Sequence, residues 1–403
     1  MISMGSNLKI CMIAYTLYST DWRVQREAEA LVASSGKDVL VLSLRESEIK
    51  KTYLRNGVEI HELGVGKYRG YSKVQYLFSY IKFIVLAFFE CNRLLLRNTL
   101  DIVHIHNMPN TLIFAAIIPC LFGKKMVLDE HDTMPETYMA KFENNSGNTI
   151  LKKLLEIEES ICCRMADKVI CVNHVQEEAL VKRNIPKKKM HVHMNLPDPK
   201  GVNYWNAIKE SPDAEGIFKL CYHGTITKRL GIDLAIRAVK MVEGKIPRLE
   251  FHIFGGGEGK DECVAVSEAL GLHKFVNFRG SVQFKALIPI IAGMDLGIIP
   301  NRKNEATELM LPVKMLEYVA LGIPVVCPRS RAIEYYFSED MVFYYDLENI
   351  ESMGDAIVLA YENRKLGMEK ADNARKFFDV YGWDNQNKDL VDMYNSMAIS
   401  IKN

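Results

Sequence analysis

The chain has 403 residues, 48% of them hydrophobic, with a formal net charge of +1 and nine cysteines. That length exceeds one ordinary core and sets two domains of roughly 200 residues as the expectation. The near-zero charge removes the electrostatic case for nucleic acid. An odd number of cysteines with no C-x-x-C reads as reduced thiols in a cytoplasmic protein, not as a disulfide or metal framework. The start lacks the apolar run and cleavage pattern of a signal peptide. The longest apolar runs, Phe83–Phe89 and Leu112–Phe122, fall short of the ~20 residues that span a bilayer, so neither reads as a transmembrane helix.

Leu8–Tyr15 is a short apolar run, read as the first buried strand. Asp21 is a good N-cap. Val24, Ala28, Leu31 and Val32 share the buried stripe of the helix that follows, and Gly36 stops it. Val39–Leu44 is the second strand, and strand–helix–strand order argues for a parallel sheet. The turn Thr16–Asp21 carries no glycine fingerprint, which speaks against dinucleotide binding. Arg23 and Arg26 share a helix face. A solvated face is the plainer reading; a pair that reaches an anion is the other.

Tyr71–Arg97 is long, helical and rich in Phe, Tyr and Leu, with Lys73, Lys82, Arg93 and Arg97 along it. It reads as a core helix with a basic outer side. Its alternative is a surface lying against a lipid-linked acceptor at the membrane. Asp101–His106 is a strand with His104 and His106 on one face. Without a third ligand at a useful spacing these two, like His191 and His193, read as structural histidines and not zinc ligands. Met126–Leu128 closes the next strand, and Asp129-Glu130-His131-Asp132 falls at its carboxyl end, where ligands bind in parallel sheets. His131 among three acids suits proton handling or holding a hydroxyl; a helix-capping cluster is the plain alternative. Leu151–Met165 is a helix with Leu154, Ile157 and Ile161 inward. Lys168–Val172 and His191–Leu196 are strands, and Pro197–Gly216, with three prolines, is the linker.

Phe218–His223 opens the second half as an apolar strand. Gly224 follows, then Lys228 and Arg229, so a backbone that admits close approach is followed by two cations. Leu249–Phe254 is a strand ending in Gly255-Gly256-Gly257-Glu258, where three glycines allow close approach by a flat group or a phosphate. Val276–Gly280 and Met294–Pro300 are further strands. Glu308–Val326 then combines Pro312, suited to a first helical turn, with Lys314 and Glu317. Met315, Leu316, Val319 and Ala320 share one helix face, and Gly322 and Pro324 end the helix before a buried strand. A helix N-terminus, a lysine and a carboxylate suit a nucleotide diphosphate and its ribose. The plain alternative for Lys314 and Glu317 is a solvated pair, worth a few tenths of a kcal/mol. From Asp346 the chain reads as a helical tail.

Glu308–Val326 resembles the second-domain signature of retaining glycosyltransferases of family 4, which have the GT-B fold. In that family a Glu-x7-Glu pattern precedes A-x-G-x-P-V-V. Glu317 matches the second glutamate, and Ala320, Gly322, Pro324, Val325 and Val326 follow in register. Leu309 holds the first glutamate's position, with Glu308 one residue early. The variant L-P-x-K-x-x-E-Y fits Leu311, Pro312, Lys314, Glu317 and Tyr318. Other stretches agree: a D-x-H-type strand end at His131, cations after a glycine at Lys228 and Arg229, and G-x-G-x-E-like glycines. VNFRG resembles the F-x-G that flanks the base, and Gly382-Trp383 resembles the family's late kink. The Gly-Gly turn of many relatives is replaced by Ser19–Arg23.

The resemblance implies an α/β, GT-B fold: two Rossmann-like parallel-sheet domains facing across a cleft. It places an acceptor-side domain at 1–200, a linker at 201–216, a nucleotide-sugar-binding domain at 217–380 and a helix crossing back to the first domain at 381–403. It implies retaining transfer from a UDP- or GDP-sugar to a saccharide or lipid-linked acceptor, in polysaccharide or glycoconjugate assembly. The setting would be cytoplasmic or peripheral at the inner membrane face, with no metal, no cofactor and no nucleic acid. Gly224, Lys228, Arg229, Gly256, Gly257, Glu258, Val282, Leu311, Pro312, Lys314 and Glu317 would bind donor. Arg279 would stand near the base with Val282. Arg229 and Lys314 would stabilise the departing diphosphate, and His131 would lie beside the donor sugar. The rival readings are a sugar-nucleotide epimerase or hydrolase of the same fold, and a non-catalytic GT-B partner protein.

Overall fold

The computed structural model describes residues 7–46, 51–68, 70, 72–141, 148–197 and 216–402. The chain divides into two compact units, Met1–Asn195 with Asp384–Asn403, and Leu196–Trp383. Residues 198–215, most of the expected linker, lie outside the described residues. So do Tyr71 and the side chain of Lys73.

The first unit is built on eight strands: β1 (Leu8–Ala14), β2 (Lys37–Arg45), β3 (Thr52–Arg55), β4 (Val58–Gly66), β5 (Ile102–His106), β6 (Lys125–Glu130), β7 (Lys168–Cys171) and β8 (Met190–Val192). Their order is β3-β4-β2-β1-β5-β6-β7-β8. All neighbours are parallel except the β3–β4 hairpin at one edge. Sequence reading passed over that hairpin. Its signal is Asn56-Gly57, both with positive φ, the pair a tight two-residue turn demands.

Side-chain alternation along β1 feeds two cores. Cys11 and Ile13 point to one face, with Phe83, Leu112, Cys162 and Cys163. Ile10 and Met12 point to the other, with Val24, Ala28, Leu31 and Tyr394. Burial on both faces is what parallel strands require. Asp21 caps the helix Trp22–Ala33 by accepting from the Val24 N–H. All nine cysteines are free thiols, eight of them buried.

Two expectations for this unit are overturned. The helix Asn148–Met165 turns Leu154, Ile157 and Ile161 outward, at 56, 56 and 50% exposure. Its inner face carries Glu158 and Glu159 beside Cys162 and Cys163. Glu158 accepts from Asn110 at 3.3 Å, and Glu159 pairs with Arg183, so an internal ion pair fills the place expected for aliphatic side chains. The helix Lys73–Leu96 buries only one stripe, including Phe83, Ala87 and Cys91. Its outer side is apolar as well as basic. Val74–Leu96 is long and apolar enough to cross a membrane, unlike the shorter run counted from sequence.

The second unit has six parallel strands: β9 (Phe218–His223), β10 (Leu249–Phe254), β11 (Val276–Gly280), β12 (Leu296–Ile298), β13 (Val325–Pro328) and β14 (Phe343–Tyr345). Their order is β11-β10-β9-β12-β13-β14. The chain runs outward from β9 in both directions, so a topological switch lies at the carboxyl end of β9 beside β12. The helix Ile232–Val242 packs Ile232, Ala235, Ile236 and Val239 onto the sheet. After β14 come four helices, the last Trp383–Lys402. From Asp384 onward this helix belongs to the first unit, where Leu390, Met393, Tyr394 and Met397 join the core over β1.

Candidate functional site

At the switch of the second unit, two glycine-bearing loops are laced together. Gly224 N–H donates to Phe254 O at 2.9 Å, Gly255 N–H to Gly280 O at 2.7 Å, and Ile226 N–H to Gly256 O at 2.9 Å. A Cβ on Gly255 would stand 1.9 Å from Gly224 O, and one on Gly257 would stand 2.3 Å from Ile226 O. Both residues have positive φ. These two glycines therefore serve loop-on-loop packing, and Gly257 remains exposed. Gly256 is different, since its nearest neighbour would be Ser281 Oγ at 3.6 Å.

Lys314 reaches this switch from the first turn of the helix Val313–Leu321. Pro312 stands at the N-cap and its carbonyl accepts from Met315 and Leu316. The N–H groups at such a start have no acceptor within the helix. Gly322, at φ 67°, ends it. Lys314 Nζ donates to Tyr222 Oη at 2.7 Å, lies 4.1 Å from that ring's centre, and would be 3.3 Å from a Cβ on Gly224. Glu317, at 6% exposure, places Oε2 3.1 Å from His223 Nε2. The contact is off line for a hydrogen bond, since that nitrogen has none among the described residues. A solvated Lys314–Glu317 pair is thus excluded: one partner is buried and the other is packed on tyrosine.

Burial lowers the Lys314 ammonium to about 7; Glu317 opposes the shift and the Arg229 charge reinforces it. Burial, then the Lys314 charge, pushes His223 down to about 3. Burial pushes the Tyr222 phenol up. The site therefore holds a cation whose charge is poorly compensated, with a second cation near enough to be felt. Such a site gains from an anion. Arg302 fixes the turn that carries Arg229: its N–H donates to Arg229 O at 3.0 Å, its Nε to Lys228 O at 3.1 Å, and its head pairs with Asp233 at 2.5 Å.

In the first unit, His131 sits just past β6. Its N–H donates to Asn107 Oδ1 at 2.8 Å, and its Nε2 lies 2.8 Å from Asp129 Oδ2. His106 Nδ1 is 3.1 Å from the same oxygen. Asp129 is fully buried and bound by Arg23, at 2.5 Å from Nη2 and 3.2 Å from Nε. Burial alone would raise the Asp129 carboxyl; Arg23, then His131, hold it well below the usual range. Burial and then Asp129 drive the Glu27 carboxyl well up, and Arg23 opposes that shift. An ionised Asp129 only accepts, and His106 Nδ1 also stands 3.1 Å from His131 Nε2, so the two imidazoles and the carboxylate form one network. His104 extends the network, with Nδ1 2.7 Å from the Tyr394 hydroxyl. Glu27, His104, His106 and Asp129 each bring a ligand-type atom within 4.8 Å of the others. The Arg23 guanidinium already stands among them and supplies the positive charge that a cation would bring.

Gly224, Arg229, Lys314 and Glu317 thus gather at one strand switch, with Leu311 and Pro312 at the helix start. Lys228 and Glu258 are exposed. Val282 is half-buried, next in sequence to the Ser281 hydroxyl that faces Gly256. Arg279 donates to His252 at 3.3 Å. Glu308 accepts from the Arg331 N–H at 3.0 Å, at the start of the helix Arg331–Tyr336. Arg23 is buried and paired, not solvated. Sequence reading missed Tyr222, His223 and Arg302. The first two close an apolar strand ahead of a glycine, which is where a signal lay.

The fold and the sites define a class: GT-B, with one parallel-sheet glycosyltransferase domain in each unit. Residues 22–199 match the model of the family described as Glycosyltransferase Family 4, and residues 217–363 that described as Glycosyl transferases group 1. A curated relative is the glycosyltransferase TuaH of Bacillus subtilis (strain 168), whose name places it in teichuronic acid biosynthesis. It is 25% identical over 184 residues, 43% of this chain and 43% of its own. The matched stretch is less than half the length of that relative. Sucrose-phosphate synthase from Thermosynechococcus elongatus aligns over 98% of this chain and 100% of its own, with a TM-score of 0.78 at 14% identity. HepE from Anabaena in complex with UDP aligns over 96% and 100%, with a TM-score of 0.70 at 15% identity. At these identities the likeness is one of fold.

Proposed function

We propose that the protein transfers a sugar, with retention, from a UDP- or GDP-sugar to a saccharide or lipid-linked acceptor in polysaccharide or glycoconjugate assembly. It would act in the cytoplasm or at the inner face of the membrane. The observation that carries this reading is Lys314, a largely buried cation seated against Gly224 at the strand switch and within the field of Arg229. A diphosphate there meets two cations and the amides of a helix start, which stabilise the charge that develops as it departs. Glu317 accepts from ribose hydroxyls. His131, oriented by Asp129, holds the donor sugar. The acceptor proton leaves on the departing phosphate, so neither a metal nor a strong base is required. HepE, solved with UDP and with UDP-glucose, supports the choice of donor class.

Incubation with UDP- and GDP-sugars, with and without a lipid-diphosphate-linked saccharide, tests this. The expected outcome is an acceptor-dependent product whose new linkage keeps the donor's anomeric configuration by NMR. An inverted product removes retention. Turnover without acceptor selects the epimerase or hydrolase. One observation favours the non-catalytic alternative: Glu308, nearest the missing first glutamate, is engaged by the Arg331 amide. Donor binding without turnover over many acceptors would select it.

A further inference from the structure

Three segments share one face of the first unit's sheet: the helix Lys73–Leu96, the run 110–121 and the helix Asn148–Met165. Their inner side chains, among them Phe83, Leu112 and Cys162, form a common core. Their outer side chains are apolar and exposed. Phe78, Ile81, Val85 and Phe89 line the first helix, Leu121 and Phe122 end the middle run, and Leu154, Ile157 and Ile161 line the third. The exposed charges between them are positive, and Glu156 beside Ile157 is half-buried. Lys82 and Arg93 follow the helical period of Phe78, Val85 and Phe89, and Lys153 and Arg164 flank Ile157. All four are exposed. Among the described residues of these two helices no Asp or Glu is exposed. Glu90 and Glu159 are buried and paired, with His61 and Arg93 and with Arg183.

We propose that this face docks on an anionic lipid bilayer, with both helices lying in the plane of the interface. It deepens the membrane contact proposed above by naming the surface and the lipid charge. An apolar body with cationic heads along it is the composition of an interfacial helix, its lysines reaching back to the headgroups. Anionic lipid attracts such heads. The Lys73–Leu96 helix lies on the bilayer and does not cross it, because Phe83, Ala87 and Cys91 hold one stripe in the protein core. A second copy of the chain is the poorer occupant. A two-fold contact of this face with itself sets the cations of each copy against those of the other.

Co-sedimentation of the full chain with vesicles tests the proposal, using phosphatidylcholine alone and phosphatidylcholine with phosphatidylglycerol. Binding is expected to the mixed vesicles and to weaken with salt. The double variant Phe89→Ser, Ile157→Ser is expected to lower the partition coefficient at least about tenfold on both vesicle types. Lys82→Glu with Lys153→Glu should abolish the preference for the mixed vesicles. Failure of the wild type to bind, equal binding to both vesicle types, or a dimer by light scattering that the serine variants abolish would each overturn it. The rise in melting temperature induced by UDP or GDP is read on the same samples and should survive in every surface variant. Vesicle binding without a response to UDP or to GDP sinks the transferase reading alone; a nucleotide response without vesicle binding sinks the docking face alone.

Discussion

A lysine ammonium held near neutrality by burial makes nucleotide binding a proton-linked event. Lys314 falls from an ordinary 10.5 to about 7, burial being the main cause. That difference is about 5 kcal/mol against the charged form. At pH 8 about nine-tenths of the free protein then carries a neutral Lys314. A bound diphosphate restores the charge, so UDP binding at pH 8 should take up close to one proton, and affinity should fall about tenfold from pH 8 to pH 9. Titration calorimetry in buffers of different ionisation enthalpy reads the uptake directly. Lys314→Met keeps apolar bulk over Tyr222 and removes the titrating group, so its uptake should vanish. No proton uptake by the wild type at pH 8, or an undiminished uptake in the methionine variant, would refute the reasoning. The same shift has a sign for stability. Between pH 7 and 10.5 the unfolded chain binds more protons at this residue, so its contribution to stability rises with pH across that window.

Gly255→Ala drives a Cβ into Gly224 O at 1.9 Å with positive φ, and should cost roughly 3 kcal/mol or more in denaturant unfolding. Gly256→Ala meets nothing nearer than 3.6 Å and should stay within about 1 kcal/mol. Glu308→Ala removes the acceptor for the Arg331 amide; about 0.5–2 kcal/mol of stability should be lost while UDP affinity in calorimetry stays unchanged. Asp129→Asn strips the buried Arg23 of its ionised partner and should lower stability by about 3–5 kcal/mol. In the wild type the Asp129 carboxyl is held well below its ordinary value. Its contribution is therefore present above the ordinary carboxylate range and is lost as pH falls below it, an acid loss that the asparagine variant should not show.

What could be read from sequence was local. Asp21 as a cap, Gly322 as a stop, and the strand β9 before Gly224 each depend on neighbours within a few residues. The two parallel sheets followed from strand–helix alternation. What escaped was set by distant partners. Arg23 is buried because Asp129 meets it from 106 positions away, and no helical period announces that. Leu154, Ile157 and Ile161 have the spacing of a core stripe, yet Glu159 wins the interior through Arg183. Glu317 looked solvent-facing on spacing alone, and its burial beside His223 depends on how the helix Val313–Leu321 docks on β9. The triple glycine invited a ligand, but the need of Gly255 and Gly257 for packing against the loop around Gly224 is set by residues some thirty positions away.

The most direct test is a thermal-shift screen of UDP-, GDP- and ADP-sugars against the wild type, Arg229→Ala and Lys314→Met. A ligand that binds the folded state raises its apparent stability in proportion to the logarithm of its concentration. At least one UDP- or GDP-sugar should raise the melting temperature of the wild type, with the response reduced or lost in both variants. No response to any nucleotide sugar, or an equal response in all three proteins, would contradict a diphosphate site at Lys314.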